Sequence, residues 1–297
     1  MDIPYLSRNF VRNMATQTVT LLTDWGNADH YAAVVKARLF AKMPDVRVVD
    51  ISHSVPRSDI YAAAYMAIDS YPYFPEGTIH IVGVEDIATK DNVHLVVKFG
   101  QQFIIGTDNG FFTILQILSG KTMDLVYEIE VSKETKSFTF PARDLFPRVA
   151  SMLSVGMPLD KIGKLSRLHS RVFDGPGLKV QRTSENINGN MTGMHLTGRV
   201  LFIDDFGNII TNITKKEYDA CLEACPGGYE FKDMYVDLRR INGKIVDTYD
   251  NVPIAAPAFI FLENGFLEIA ENKENFYKKM GIARGAKVIM RFGPKIK

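Results

Sequence analysis

Thr18-Val-Thr-Leu-Leu-Thr-Asp-Trp-Gly26, with the stretch 29–41 behind it, is the part of the sequence that decides the fold. Residues 18–22 alternate β-branched and aliphatic side chains and read as a strand. Asp24 and Gly26 follow in a short turn. Residues 29–41 then place Tyr31, Val34, Val35, Ala37 and Leu39 at the spacing of an amphipathic helix. Working outward, 46–51 reads as the next strand, 59–68 as the next helix and 78–84 as a third strand, while 93–99 and 103–106 face each other across a turn at Gly100. This alternation predicts a layered α/β domain with a mostly parallel sheet over 17–173.

Between 174 and 197 the composition turns to Gly, Pro, Ser, Asn and Thr, which reads as a linker. Beyond it, 199–204, 209–213, 258–262, 267–270 and 287–291 are strand-like runs separated by turn signals. They predict a smaller, β-rich, barrel-like domain over 198–297.

The formal net charge of +1 on 297 residues, with no dense Lys/Arg run, offers no footprint for a phosphate backbone, so no nucleic-acid partner is expected. No apolar stretch reaches membrane-spanning or signal-peptide length, which places the protein in the cytoplasm and off the membrane. Cys221 and Cys225 share a helical spacing that does not favour a disulfide, and no second Cys/His cluster completes a metal site; both read as structural thiols.

Four segments stand out as motifs: Leu21-Leu-Thr-Asp-Trp-Gly26, Val49-Asp-Ile-Ser-His-Ser54, Gly106-Thr-Asp-Asn-Gly110 and Phe202-Ile-Asp-Asp-Phe-Gly-Asn-Ile-Ile-Thr-Asn-Ile213. Phe74-Pro-Glu-Gly-Thr-Ile-His80, Thr139-Phe-Pro-Ala-Arg-Asp144, Thr248-Tyr-Asp-Asn-Val-Pro253 and Gly265-Phe-Leu-Glu-Ile-Ala270 support them. In this order the set resembles the S-adenosylmethionine (SAM) hydroxide adenosyltransferase family, the SAM hydrolases, which are related to the fluorinases and chlorinases. The resemblance runs from about Thr18 to the C-terminus. It implies a homotrimer whose small-molecule adenosyl ligand lies between subunits. It also implies attack of a water-derived hydroxide on the ribose 5′ carbon, release of methionine, and no metal or organic cofactor, SAM being the substrate. Such an in-line displacement depends mainly on positioning and on excluding water.

The resemblance makes Asp24 the acceptor of the ribose hydroxyls, and the C-terminal end of a first parallel strand is where open α/β sheets bind ligands; a cap for the turn before the helix is the plainer role. Asp204 is similar to the residue that receives the methionine ammonium, and Phe206 and Asn208 to the pair at the adenine. Asp205-Phe-Gly-Asn208 also suits a simple hairpin turn. Asp108 and Asn109 read as scaffold under the pocket, and His53, His80 and His94, lying in or beside strands, as structural histidines.

The hydrolases of the family carry an Asp, an Arg and a His at the attacking water. Counted without gaps these positions hold Glu85, Asn92 and Pro141, so one acid is retained. Pro141 equally suits a helix start. The family's Asn-Ser before the last glycine is Leu262-Glu263; Glu263 repels the substrate carboxylate if it enters the pocket and is harmless in solvent. The expected activity is therefore hydrolysis of SAM to adenosine and L-methionine, the alternative a weak or inactive adenosine- or SAM-binding homologue. Asp86, Asp91 and Arg143 are left open as substitutes for the lost groups, Asp86 and Asp91 reading more plainly as solvated loop acids. Halogenation is the least favoured: the halogenases' aromatic residue at 85 and Ser at 142 are absent.

Overall fold

The computed structural model describes residues 16–87, 93–131, 139–168, 178–187, 190–224 and 228–295. In the first part of the chain come β1 (Thr18–Thr23), α1 (Tyr31–Lys42), β2 (Arg47–Ser52), α2 (Ile60–Ser70), β3 (Ile79–Gly83), β4 (His94–Phe99), β5 (Gln102–Thr107), α3 (Phe111–Ser119), β6 (Leu125–Ile129), α4 (Pro141–Asp144), α5 (Phe146–Ser154) and β7 (Gly163–Leu165). All six residues of β1 are buried, as suits a strand inside a sheet. The sheet order is β2-β1-β3-β5-β4-β6-β7. It is parallel through β2, β1, β3 and β5 and antiparallel through β4, β6 and β7. The α/β class read from the sequence is thus present, with an antiparallel edge beyond the β4/β5 hairpin that closes at Phe99 and Gln102. On α1, Val35 and Leu39 reach the core, whereas Tyr31 and Ala37 of the same apolar set are exposed. A core of Val19, Leu21, Ile81, Val96, Ile105, Phe146 and their neighbours fills this layer.

The second part comprises β8 (Gln181–Ile187), β9 (Asn190–Ile203), β10 (Ile209–Thr214), α6 (Lys215–Leu222), β11 (Tyr229–Val236), β12 (Arg239–Ile241), β13 (Lys244–Ile245), β14 (Pro257–Phe261), β15 (Phe266–Glu271), α7 (Phe276–Met280) and β16 (Lys287–Pro294). They form a curled sheet in the order β12-β11-β16-β9-β10-β15-β14-β13, with β8 on β9. β8 and the start of β9 fall in the stretch that composition marked as linker. They pair antiparallel, Ile187 opposite Asn190, and the Asn188-Gly189 between them in the sequence is a hairpin signal with the same composition as a linker. α6 begins with a reciprocal Thr214/Glu217 capping box. Cys221 is a buried free thiol in this core; Cys225 lies outside the described residues.

By density of contacts the chain divides into two units. One holds the described residues of 16–63, 70–112 and 121–168; the other holds 64–69, 113–120 and those beyond 171. The C-terminal parts of α2 and α3 thus group with the β-rich half.

At the end of β3 a glycine is required for space. A Cβ on Gly83 would collide with the Trp25 indole, which lies over it and also meets Phe140 edge to face at 5.1 Å. Gly83→Ala is expected to lower the unfolding free energy in a urea titration by about 1–3 kcal/mol through overpacking. Trp25→Phe in the same chain should recover part of that loss. Strict additivity of the two changes would show that the indole is not what Gly83 accommodates.

Candidate functional site

The turn after β1 is built around the Asp24 carboxylate. Its Oδ2 accepts the backbone N–H of Ser58 at 2.9 Å and that of Glu85 at 3.4 Å. Both donors have positive φ, 57° at Ser58 and 46° at Glu85, a backbone region that non-glycine residues enter at a cost of about 1–3 kcal/mol. Two strained loops thus aim their amides at one oxygen, while Oδ1 accepts no hydrogen bond among the described residues. The turn itself is tied down by Asp24 N–H to the Gly83 carbonyl and Gly26 N–H to that of His53. α1 starts at His30 without a side-chain cap, so Asp24 is not serving as its cap.

The loop leaving β3 is clamped from below. The Asn109 side-chain amide donates to the carbonyls of Val84 at 2.9 Å and Glu85 at 3.1 Å, and its Oδ1 accepts from the Phe111 N–H at the start of α3. Thr107 Oγ1 donates to the Asp86 carbonyl at 2.9 Å and lies 3.0 Å from His94 Nδ1. A hydroxyl has one proton, so Nδ1 of His94 carries the hydrogen of that second bond. The Asp108-Asn109 turn is in this sense a scaffold for 84–86.

The left-handed turn at Glu85 sends neighbouring side chains opposite ways: Glu85 is exposed, while Asp86 is 7% exposed and so is not the solvated loop acid that the sequence suggests. Asp86 Oδ2 is buried with no hydrogen-bond partner among the described residues. Burial pushes its pKa up to about 6 and the nearby Asp24 carboxylate pushes the same way; the Ala142 N–H works against both. Ala142 belongs to α4, which starts at the buried Pro141, the helix-starting role suited to proline. Arg143 is engaged by Asp144 at 2.6 Å and lies over the Phe140 ring. Asn92 and Asp91 lie outside the described residues.

The three strand histidines each pair with a strand threonine: His80 with Thr20 and His53 with Thr23, both at 2.7 Å, and His94 with Thr107. His53 also lies 3.2 Å from Asp50, which holds Lys36. Burial lowers His80 and His94 to about 4, so both are neutral at physiological pH. Among the described residues no group of three or more His, Cys, Asp or Glu could hold a metal ion, and no helix is long and apolar enough to cross a membrane.

In the second unit, Asp204 and Asn208 bracket the tight turn from β9 to β10. Both Asp204 oxygens accept from Asn208, one from its N–H at 2.8 Å and one from its side-chain amide at 3.0 Å. Gly207 has φ 87°, and any Cβ there would meet Asn275. Phe206, at the tip, is 79% exposed. The hairpin reading of this segment is therefore real, and it leaves Phe206 unpacked. Near Asp204 the structure adds Tyr249 and Glu268, which lie in the supporting motifs, and Tyr65, which lies in none. Glu268, 4% exposed, accepts from the Tyr249 hydroxyl at 2.6 Å. Burial and, further down, Asp204 raise the pKa of both groups. Tyr65 stacks on Phe202 at 5.4 Å, and burial lifts its hydroxyl to about 12. Asn264 gives its amide to Asp69 at 2.8 Å, whereas Glu263 beside it is exposed. No lysine or arginine pairs with Asp24, Asp86, Asp204 or Glu268 among the described residues.

Comparison with known proteins gives a consistent result over most of the chain. Residues 19–163 match the SAM hydroxide adenosyltransferase N-terminal domain and 198–289 its C-terminal domain. The (R)-S-adenosyl-L-methionine hydrolase of Thermus thermophilus is 30% identical, the match covering 91% of this chain and 98% of that protein. The enzyme of the same name from Methanocaldococcus jannaschii is 26% identical over 92% of this chain and 95% of its own. A solved structure of a conserved protein from Thermotoga maritima superposes with a TM-score of 0.75 at 25% identity, covering 92% of this chain and 99% of that one.

The raised Asp86 pKa fixes a pH dependence of stability. The folded value near 6 exceeds the ordinary 3.8, so ionisation favours the unfolded chain. No penalty exists below about 3.8; it grows as pH rises and is complete above about 6. Asp86→Asn should therefore be more stable than wild type at neutral pH, by on the order of 2–3 kcal/mol, with the gap closing toward acid. Thermal melts across that range check this; a variant less stable at every pH would contradict it.

Proposed function

We propose that this chain, which belongs to the SAM hydroxide adenosyltransferase family, hydrolyses SAM at the ribose 5′ carbon to adenosine and L-methionine. The observation that carries the reading is Asp24. A carboxylate fixed through one oxygen by two backbone amides, at the C-terminal end of a central parallel strand, presents the other oxygen to a diol. The substrate's charge fits as well. SAM brings a sulfonium and an ammonium; among the described residues no lysine or arginine pairs with the carboxylates of Asp24 and Asp86 in the first unit, nor, taken by itself, with those of Asp204 and Glu268 in the second. Phe206, exposed at its turn, is available to an adenine face, and Asn208 keeps the turn and Asp204 in place.

Water attacks the 5′ carbon from the side opposite sulfur, the C5′–S bond breaks, and its electron pair returns to sulfur. The sulfonium becomes a neutral thioether, so the leaving group needs no acid. The remaining demand is removal of a proton from the water, where this sequence departs from its family: Glu85 is exposed, Pro141 has no exchangeable proton, and position 92 is Asn. Buried Pro141 at the start of α4 is the observation that favours the second reading, a weak or inactive adenosyl-binding homologue. A cytoplasmic homotrimer acting without metal or organic cofactor and binding neither nucleic acid nor membrane completes the proposal, and light scattering tests its mass.

Incubation of the pure protein with SAM and separation of the products should show adenosine and methionine in equal amounts, formed slowly. The combined change Glu85→Asp, Asn92→Arg, Pro141→His should raise the rate by about 10²–10⁴-fold, and single reversions by far less because groups acting on one water are not additive. Circular dichroism must show the variant folded. No adenosine from wild type contradicts the hydrolase reading and leaves the binding homologue.

A further inference from the structure

We propose that Asp86, one residue beyond the position at which the family carries its aspartate, is the carboxylate that takes the proton of the attacking water. The inference rests on the hydrolase reading above and names the base for it. A buried carboxylate oxygen without a partner is rare, because a charged group taken out of water loses its hydration unless a donor replaces it. Asp86 Oδ2 is such an oxygen among the described residues. On this proposal the attacking water is the donor that satisfies it, entering a position beside an oxygen that is closed to solvent in this structure.

The surrounding geometry places the oxygen by the ribose. The same loop that carries Asp86 donates its Glu85 N–H to Asp24, and Asp24 acts directly on the Asp86 charge. A ribose held by Asp24 therefore lies beside Asp86. The backbone from 84 to 86 cannot drift, since Asn109 holds two of its carbonyls and Thr107 the third. Glu85, by contrast, is turned to solvent by its left-handed backbone. A one-residue offset thus exchanges an exposed acid for an inward one of the family's own type, an aspartate. The charged and titratable groups around Asp86 are Asp24 at the end of β1, which repels it, and His94 on β4, neutral and separated from it by Thr107. From α4 the Ala142 N–H faces it.

In the step itself one O–H bond of water breaks toward Asp86, the new C5′–O bond forms and the C5′–S bond breaks. The proton then leaves from Asp86 to solvent, so hydrolysis of one SAM cation releases adenosine, methionine and one proton.

The test is steady-state formation of adenosine from SAM as a function of pH for wild type, Asp86→Asn, Asp86→Glu and Glu85→Gln. In wild type, kcat/KM should rise through about pH 6, the free-enzyme value for Asp86. The limb in kcat should lie lower, because the bound sulfonium favours the ionised carboxylate. Asp86→Asn should lose about 10²–10⁴-fold in kcat and the rising limb with it. Asp86→Glu should regain part of the rate with a limb of its own, and Glu85→Gln should lose much less than Asp86→Asn. Asp86→Asn within about twofold of wild type, or a wild-type profile with no rise near that pH, overturns the assignment. If Asp86→Asn does not fold, the wild-type profile and Asp86→Glu decide. Wild type without any adenosine formation sinks the hydrolase reading and this assignment together. Adenosine formation unimpaired by Asp86→Asn removes the assignment alone.

Discussion

Two backbone amides from residues in left-handed conformation converge on one oxygen of Asp24, and much of the first unit is arranged so that they can. The Ser58 amide arrives from the loop before α2 and the Glu85 amide from the end of β3, on either side of β1 in the sheet. Each lies in a bonded turn: Asp59 N–H to the Pro56 carbonyl and Ile60 N–H to that of Ser58 on one side, Asn109 to the Val84 and Glu85 carbonyls on the other. The proposed binding role of Asp24 gives this local backbone cost a purpose.

The same region carries a second departure from maximal stability. Asp86 is buried near another carboxylate with one oxygen unsatisfied, which disfavours the folded state at neutral pH. Glu268 is buried near Asp204 in the second unit, where among the described residues a tyrosine hydroxyl is what offsets it. Within the first unit, the negative charge of Asp24 and Asp86, which no lysine or arginine pairs with among the described residues, suits a cationic ligand that supplies the missing charge on binding. The family's substrate has that character.

How much of this was legible in the sequence differs from residue to residue. The path from β1 through α1 to β2 and β3 was readable because β-branched runs and helical spacing alternate there, and the Asp24 turn followed from its place after the first strand. The hairpin of β8 and β9 was hidden because Asn-Gly marks a tight turn and a linker with the same letters. The Tyr249/Glu268 pair sat in quoted motifs without a role, since only folding brings them together across 19 positions. Asp86 could not be singled out: gapless counting stops at Glu85, and nothing in a glutamate announces the positive φ that turns it outward. The exposure of only part of the α1 apolar set shows the same limit, as periodicity predicts a face but not how much of it is covered.

The central claim is that the fixed Asp24 carboxylate holds the ribose of an adenosyl ligand. Calorimetric titration of adenosine into wild type and Asp24→Ala, both checked for native circular dichroism, tests it most directly. Loss of two hydrogen bonds to a charged acceptor, each worth about 1.5–3 kcal/mol, should weaken binding by at least about 100-fold. Equal adenosine affinity in the two proteins would contradict the account and reduce Asp24 to a residue that only ties two loops together.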